Sequence, residues 1–239
     1  MFVMHKENTI IRMFRVSKRY GKMEALSDLT LDIKDGEFVF VTGPSGAGKS
    51  TMIKLLYMGE TASEGAIIID GVYMDRITRK QIPRLRRKLG IIFQDFKLIP
   101  TKTVFQNVAL VLEIMGVKPK EIQRRTMEAL ERVGIDDRAG ELTPVLSGGE
   151  KQRVAVARAI VGEPRIILAD EPTGSLDSDS ASHIFQLLQD AHADGTTVVV
   201  ATHDQQMINT GYGRVVRLAK GRLNPEDAEM QYTGQGMDV

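Results

Sequence analysis

Cysteine is absent from this 239-residue chain. Its absence excludes a disulfide scaffold, cysteine-ligated zinc and thiol catalysis. It also fits a reducing compartment. Excess charge is missing as well: 32 Lys and Arg face 31 Asp and Glu, for a net charge of +1. No electrostatic field therefore directs the chain to nucleic acid. No stretch approaches the roughly 18 apolar residues of a membrane span. The longest candidate, Val108 to Met115, is broken by Glu113. The tail Met1 to Thr9 carries His5, Lys6, Glu7 and Asn8 and lacks a signal-peptide core. Internal repeats and low-complexity tracts are lacking too. These absences predict a cytoplasmic protein whose link to any membrane runs through a partner.

What is present is ordinary in bulk, 42% hydrophobic and 26% charged, as in globular domains generally. The length suits one large domain or a domain with an inserted lobe, burying about 70% of its unfolded surface. The chain is organised around Gly43-Pro44-Ser45-Gly46-Ala47-Gly48-Lys49-Ser50-Thr51, which fits the phosphate-loop pattern G-x-x-x-x-G-K-[ST] without a mismatch. Phe38 to Thr42 before it reads as a buried strand, and Met52 to Leu56 after it as a helix. Glycines let the backbone N–H groups close on a polyphosphate, and the helix adds its positive dipole end. Lys49 supplies a mobile cation for the outer phosphates, and the Ser50 hydroxyl suits Mg²⁺.

The rest follows in order. Ile10–Arg15 and Leu29–Ile33 read as strands joined through the Tyr20-Gly21-Lys22 turn, with a second turn at Asp35-Gly36. Gly65 to Gly71 is a short strand and turn. Together these predict a small antiparallel sheet beside the nucleotide core. The basic run Ile82 to Lys88 reads as a solvated helix start, with contact to a membrane surface or acidic partner as the other reading. Leu89–Phe93 is a strand. Residues 95–160 turn helical, with periodic segments at Thr103–Met115, Lys120–Val133 and Val154–Val161, punctuated by Pro and Gly. They predict a helical lobe inserted into an α/β core. A strand at Arg165–Ala169, a helix at Ser180–Ala193, a strand at Thr197–Ala201 and a hairpin at 214–223 complete the domain. The polar residues 224–239 read as a flexible tail.

A phosphate loop needs a carboxylate at a neighbouring strand end. Asp170 and Glu171 follow the apolar run Ile166–Ala169. Asp170 is placed for the Mg²⁺ shell, and Glu171 to orient or deprotonate a water at the terminal phosphate. Gln94, past another strand end, offers a neutral amide to both Mg²⁺ and water. His203 follows the strand at 197–201 and suits a γ-phosphate contact. His5, His183 and His192 have no comparable setting. Leu146-Ser147-Gly148-Gly149-Glu150 opens a helix and reads as a second anion-binding device. One phosphate loop and two such devices predict a head-to-tail homodimer, with each ATP between the loop of one subunit and the 146–150 segment of the other.

In this order of motifs, residues 10–223 resemble the ATP-binding cassette (ABC) ATPases. The resemblance implies a RecA-like phosphate-loop core with an antiparallel β subdomain and a helical lobe. It implies Tyr20 stacking on adenine, and Ser147, Gly148 and Gly149, with Glu150 completing the signature, at the γ-phosphate of the opposite subunit. It implies Asp177, in Ser175-Leu176-Asp177, coupling the two sites. Ser175 departs mildly from the Asn usual there. Intact motifs imply an active ATPase using ATP and Mg²⁺.

The segments Gly36–Phe40, Ile82–Arg87, Phe93–Pro100 and Thr103–Ala109 are similar to the cell-division branch of the family. That branch implies an integral membrane partner of the FtsX type, whose change of shape regulates peptidoglycan hydrolases, and a position on the inner face of the membrane. Phe96, Leu98 and Ile99 are candidates for that contact or for packing under the lobe. The alternative is the ATPase of a lipoprotein-release or macrolide-type exporter, which usually carries Gln where Glu150 stands.

Overall fold

The computed structural model describes residues 8–174, 176–224 and 227. They fall into two compact units, one comprising residues up to 82 and from 201 onward, the other 83–200.

In the first unit, β1 (Thr9–Tyr20) and β2 (Met23–Lys34) form an antiparallel hairpin. Its turn needs Gly21, whose φ is 58°. Leu29, Leu31 and Ile33 alternate inward along β2 and are fully buried, the period of two that a one-sided sheet requires. Both strands run well beyond the expected 10–15 and 29–33. Register shifts break the pairing at Met13/Val16 and nearby. Arg15 (φ 50°) and Asp28 (φ 51°) take left-handed conformations there, as residues in β-bulges do. Their side chains pair at 3.0 Å. β4 (Glu64–Ile69) and β5 (Val72–Tyr73) extend the sheet in the order β2-β1-β4-β5, which is the expected antiparallel subdomain.

The same unit holds β3 (Phe38–Thr42) and α1 (Lys49–Leu56). β9 (Arg214–Ala219) pairs parallel with β3, and β10 (Arg222–Leu223) pairs antiparallel with β9. Phe38, Val39, Phe40 and Val41 are all buried, each contributing about 1.5–3 kcal/mol of apolar transfer for the larger side chains. A short helix, α7 (Gln205–Ile208), was not foreseen. Its signal was the N-cap Asp204, whose carboxylate accepts from the Gln206 N–H at 2.9 Å.

The second unit contains α2 (Ile82–Arg86), β6 (Leu89–Ile92), α3 (Val104–Met115), α4 (Pro119–Arg132), α5 (Gly148–Ile160), β7 (Ile166–Asp170), α6 (Ser178–Ala193) and β8 (Thr197–Ala201). The outermost residues, Ile82 and Ala201, belong to the first unit. β6 and β7 pair in parallel, with Ile92 opposite Ala169. Thr103 caps α3 in a reciprocal box with Gln106, and Gly116 (φ 77°) ends it. Pro119 opens α4 at its first turn, where its missing N–H costs nothing. Arg125 of α4 donates to the Val161 carbonyl at 2.9 Å, tying α4 to the end of α5. α5 begins at Gly148, six residues before the helix read from periodicity.

Thr9 opens β1, and the Asn8 carbonyl accepts from the Asp35 N–H at 2.6 Å, so these two residues belong to the fold, not to a tail. At the other end, Asn224 donates to the Arg217 carbonyl at 2.8 Å. The Asp227 carboxylate is buried and accepts from the Arg217 N–H at 2.7 Å and its guanidinium at 3.2 Å. These positions of the expected tail are pinned, because the acid of Asp227 is held by a strand. The remaining tail positions, and Ser175, lie outside the described residues.

Candidate functional site

The first unit carries the phosphate loop. β3 ends at Thr42, and the next six residues turn through three glycines with positive φ: Gly43 (149°), Gly46 (76°) and Gly48 (106°). Two of them are required twice over. A Cβ on Gly43 would stand 2.2 Å from the Leu218 carbonyl oxygen, and one on Gly48 2.6 Å from that of Ala25. The loop is thereby wedged between β9 and β2. The Lys49 side chain is buried, and its ammonium donates to the Gly43 carbonyl at 2.8 Å. It lies folded over the loop that it would serve. Ser50 and Thr51 stand in the first turn of α1, which has no acidic residue to offset the helix dipole.

His203 belongs to the same unit and is exposed. The Thr202 N–H donates to the Val41 carbonyl at 3.0 Å, and Asp204 caps α7, so His203 is gripped on both sides. It lines one cleft of about 490 Å³ with Gly43, Pro44 and Arg217. The structure thus brings the loop entrance and the histidine together. Tyr20 stands apart from that cleft, at the β1–β2 turn, 36% exposed. The Lys18 ammonium lies 4.8 Å from its ring centroid, a cation–π arrangement that orients an aromatic face.

The second unit carries the carboxylates. The parallel register of β6 and β7 sets Gln94, two residues past Ile92, at the same end as Asp170 and Glu171, which follow Ala169. Gln94 is exposed and Asp170 half-buried. Glu171 is 9% exposed and adopts φ 45°. A left-handed non-glycine residue at a strand end is strained, and such strain gathers at functional sites.

Ser147 caps α5. Its hydroxyl accepts from the Glu150 N–H at 3.3 Å, while Glu150 Oε2 accepts from the Ser147 N–H at 2.7 Å. Arg138 lies 3.3 Å from the other Glu150 oxygen. The Glu150 carboxyl is accordingly held below its ordinary range, first by the Ser147 hydrogen bonds and then by the arginines. Glu150 was expected among the nucleotide-binding residues. Its carboxylate turns back onto the helix start, where it fixes Ser147. Gly149 has a packing reason as well: a Cβ there would meet the Ser180 hydroxyl at 2.7 Å. Ser180 in turn donates its hydroxyl and N–H to Asp177 at 2.8 and 2.9 Å. These bonds lower the Asp177 pKa, the backbone one most. Asp177 is thus the N-cap of α6, joined through Ser180 to the glycine turn of α5.

Sequence reading missed two residues of this unit. Asn107, fully buried, accepts from the Ile99 N–H at 2.7 Å and donates to the carbonyls of Ile99, Lys102 and Thr103. Arg158 reaches back to Phe96 and Lys97, 62 and 61 positions away. No local pattern announces contacts at that separation. Phe96, Leu98 and Ile99 are half-buried.

The class defined by this fold and these motifs is the nucleotide-binding cassette. Residues 26–174 match the ABC transporter family, and the chain belongs to that family. Among curated relatives, it is 43% identical over 224 residues to the cell division ATP-binding protein FtsE of Bacillus subtilis, covering 93% of this chain and 98% of that protein. The FtsE of Mycobacterium tuberculosis is 42% identical over 231 residues, covering 96% and 99%. That of Escherichia coli is 43% identical over 216 residues, covering 90% and 97%. Among solved structures, the ATP-binding cassette MJ0796, a dimer in a post-hydrolysis state bound to ADP and phosphate, superposes with a TM-score of 0.83. It is 37% identical and covers 90% of this chain and 96% of its own. The chain is an ABC-type ATPase that binds ATP.

Proposed function

We propose that this ATPase serves cell division, as the name of its FtsE relatives states, by driving a shape change in an integral membrane partner of the FtsX type. The partner's change would regulate peptidoglycan hydrolases on the far side of the membrane. The chain would then sit on the inner face of that membrane, held by the partner. Phe96, Leu98 and Ile99 are the contact candidates, since none of them is fully covered by its own unit.

Two copies bind ATP head to tail. Gly43 to Thr51 wrap the phosphates with backbone N–H groups, and Tyr20 stacks on the adenine. Lys49 leaves the Gly43 carbonyl for the outer phosphates. Ser147, Gly148 and Gly149 of the other copy close over the γ-phosphate, with Asp177 held beside them through Ser180. Glu171 orients the attacking water, with Gln94 and His203 at the same phosphate. The oxygen donors Ser50, Gln94 and Asp170 suit Mg²⁺, a hard cation. No cluster of three acids, histidines or cysteines that could hold a metal alone exists among the described residues. When bound there, Mg²⁺ would supply charge compensation for the phosphate oxygens.

The observation that carries the catalytic reading is the β6–β7 register, which aligns Gln94 with Asp170 and Glu171 at one strand end. Replacing Glu171 with Gln keeps shape and hydrogen bonding but removes the charge. Turnover is expected to fall at least about 100-fold, while ATP-induced dimerisation, followed by light scattering, persists. Wild-type turnover in this variant would overturn the assignment.

A further inference from the structure

Directly after Gln94 the chain takes an uncommon path. Phe96 (φ 59°) and Lys97 (φ 49°) are consecutive non-glycine residues in the left-handed region. Each such residue costs on the order of 1 kcal/mol or more and persists only where its surroundings impose it. What imposes it is Arg158. Its Nη2 donates to the Phe96 carbonyl and its Nη1 to the Lys97 carbonyl, both at 2.7 Å. A guanidinium presents two parallel N–H groups in a fixed fork, so it holds both carbonyls turned to one side. Partial burial lowers the pKa of Arg158, yet an arginine remains charged, and bonds from a charged donor are strong. The backbone supports the same path, with the Lys97 N–H on the Asp95 carbonyl at 2.6 Å.

Arg158 stands in the last turn of α5. Beside it, the Ala159 carbonyl oxygen lies 2.5 Å from where a Cβ on Gly90 would be. The end of α5 is therefore seated on β6, the strand that leads to Gln94. The other end of α5 is the Ser147–Gly149 turn. The two ends are 11 residues apart, about 16 Å of α-helix.

We propose that Arg158 is a positioning residue that makes α5 a rigid lever between the Ser147–Gly149 turn and Gln94. Closure on the γ-phosphate at one end of the helix is passed through the guanidinium to the Phe96 and Lys97 carbonyls, and so to the Gln94 amide. The role rests on the proposed part of Gln94 in hydrolysis. Arg158 touches no substrate; it acts through the backbone after Gln94.

The test uses the full chain and a double-mutant cycle of Arg158→Met with Gln94→Ala. Arg158→Met is expected to lower kcat about tenfold or more. Its affinity for MgADP, set by the phosphate loop, changes less than about twofold. In the Gln94→Ala background the same substitution is expected to cost almost nothing, because the residue through which it acts is gone. Full additivity of the two losses would overturn the proposal, as would a wild-type kcat in Arg158→Met. Amide exchange supplies a readout independent of catalysis: residues 94–99 lose protection in Arg158→Met while α4 and α6 do not. Unchanged protection would also overturn it. Arg158→Lys, which can reach one carbonyl, keeps the test open if the Met variant fails to fold, with an intermediate kcat and intermediate exchange expected. If Gln94→Ala alone hydrolyses normally, the role assigned to Gln94 falls and the lever with it, whereas the exchange data still report whether Arg158 holds the backbone.

Discussion

Gln152 poses the plainest energetic question at the level of single residues. It lies on α5 with no exposed surface, and neither end of its amide has a hydrogen-bond partner among the described residues. A buried, unpaired amide costs about 1–3 kcal/mol, whereas an apolar side chain of similar shape avoids that cost. Gln152→Met is therefore expected to stabilise the protein by about 1 kcal/mol, which for a domain of this size raises Tm by about 2–4 °C. Calorimetry checks this, and a drop in Tm would mean that the amide has a partner, such as bound water. Single-residue chemistry was otherwise the most legible part of the sequence. Gly43–Thr51 and Asp170-Glu171 stand out because their chemistry demands adjacent residues in a fixed order. Arg158, Asn107 and Gln152 were not legible, because their settings depend on contacts between distant segments.

At the level of elements, the helix starts decide the geometry of the signature turn. α5 and α6 are both capped by groups whose acids are held in the ionised form: Glu150 for α5 and Asp177 for α6. A folded-state pKa below the unfolded one contributes stability that is complete above the unfolded value. That stability is lost as pH falls through the folded value. The first turns of α5 and α6 are thus expected to lose amide-exchange protection on acidification below the ordinary carboxylate range of about 4. In Asp177→Asn, which still accepts a hydrogen bond but cannot ionise, the α6 share of that pH dependence should vanish. An unaltered pH profile in this variant would contradict the capping role. Element positions were largely legible and element ends were not. Periodicity alone starts α5 at Val154, because Gly148 and Gly149 depress helix propensity; the Leu146–Glu150 motif, which reads as opening a helix, marks the observed start at Gly148. The Ser147–Glu150 capping box, three residues apart, was the signal that marked the earlier start. The strands β1 and β2 were read short because bulges at Arg15 and Asp28 interrupt the period of two.

At the scale of the whole molecule, no helix among the described residues is long and apolar enough to cross a membrane. The role proposed at the division site accordingly assigns the crossing to a partner. Fold class was legible, since strand, glycine loop, helix and a second strand ending in two acids admit few architectures. The division into units was not, because its boundaries at 82/83 and 200/201 fall inside α2 and β8, where nothing in the sequence marks a break. The partner was legible only as a resemblance: Phe93–Pro100 and Ile82–Arg87 point to a branch of the family, and no physical pattern in them names what they touch.

The measurement that bears most directly on the proposed role is capture from native membranes with the Glu171→Gln variant loaded with MgATP, followed by mass spectrometry. This variant is expected to hold ATP without turning it over, and so to keep the partner engaged. An FtsX-like integral membrane protein recovered with division components is the expected result. Recovery of an exporter permease with a periplasmic adaptor would leave the ATPase chemistry standing and contradict the role in cell division.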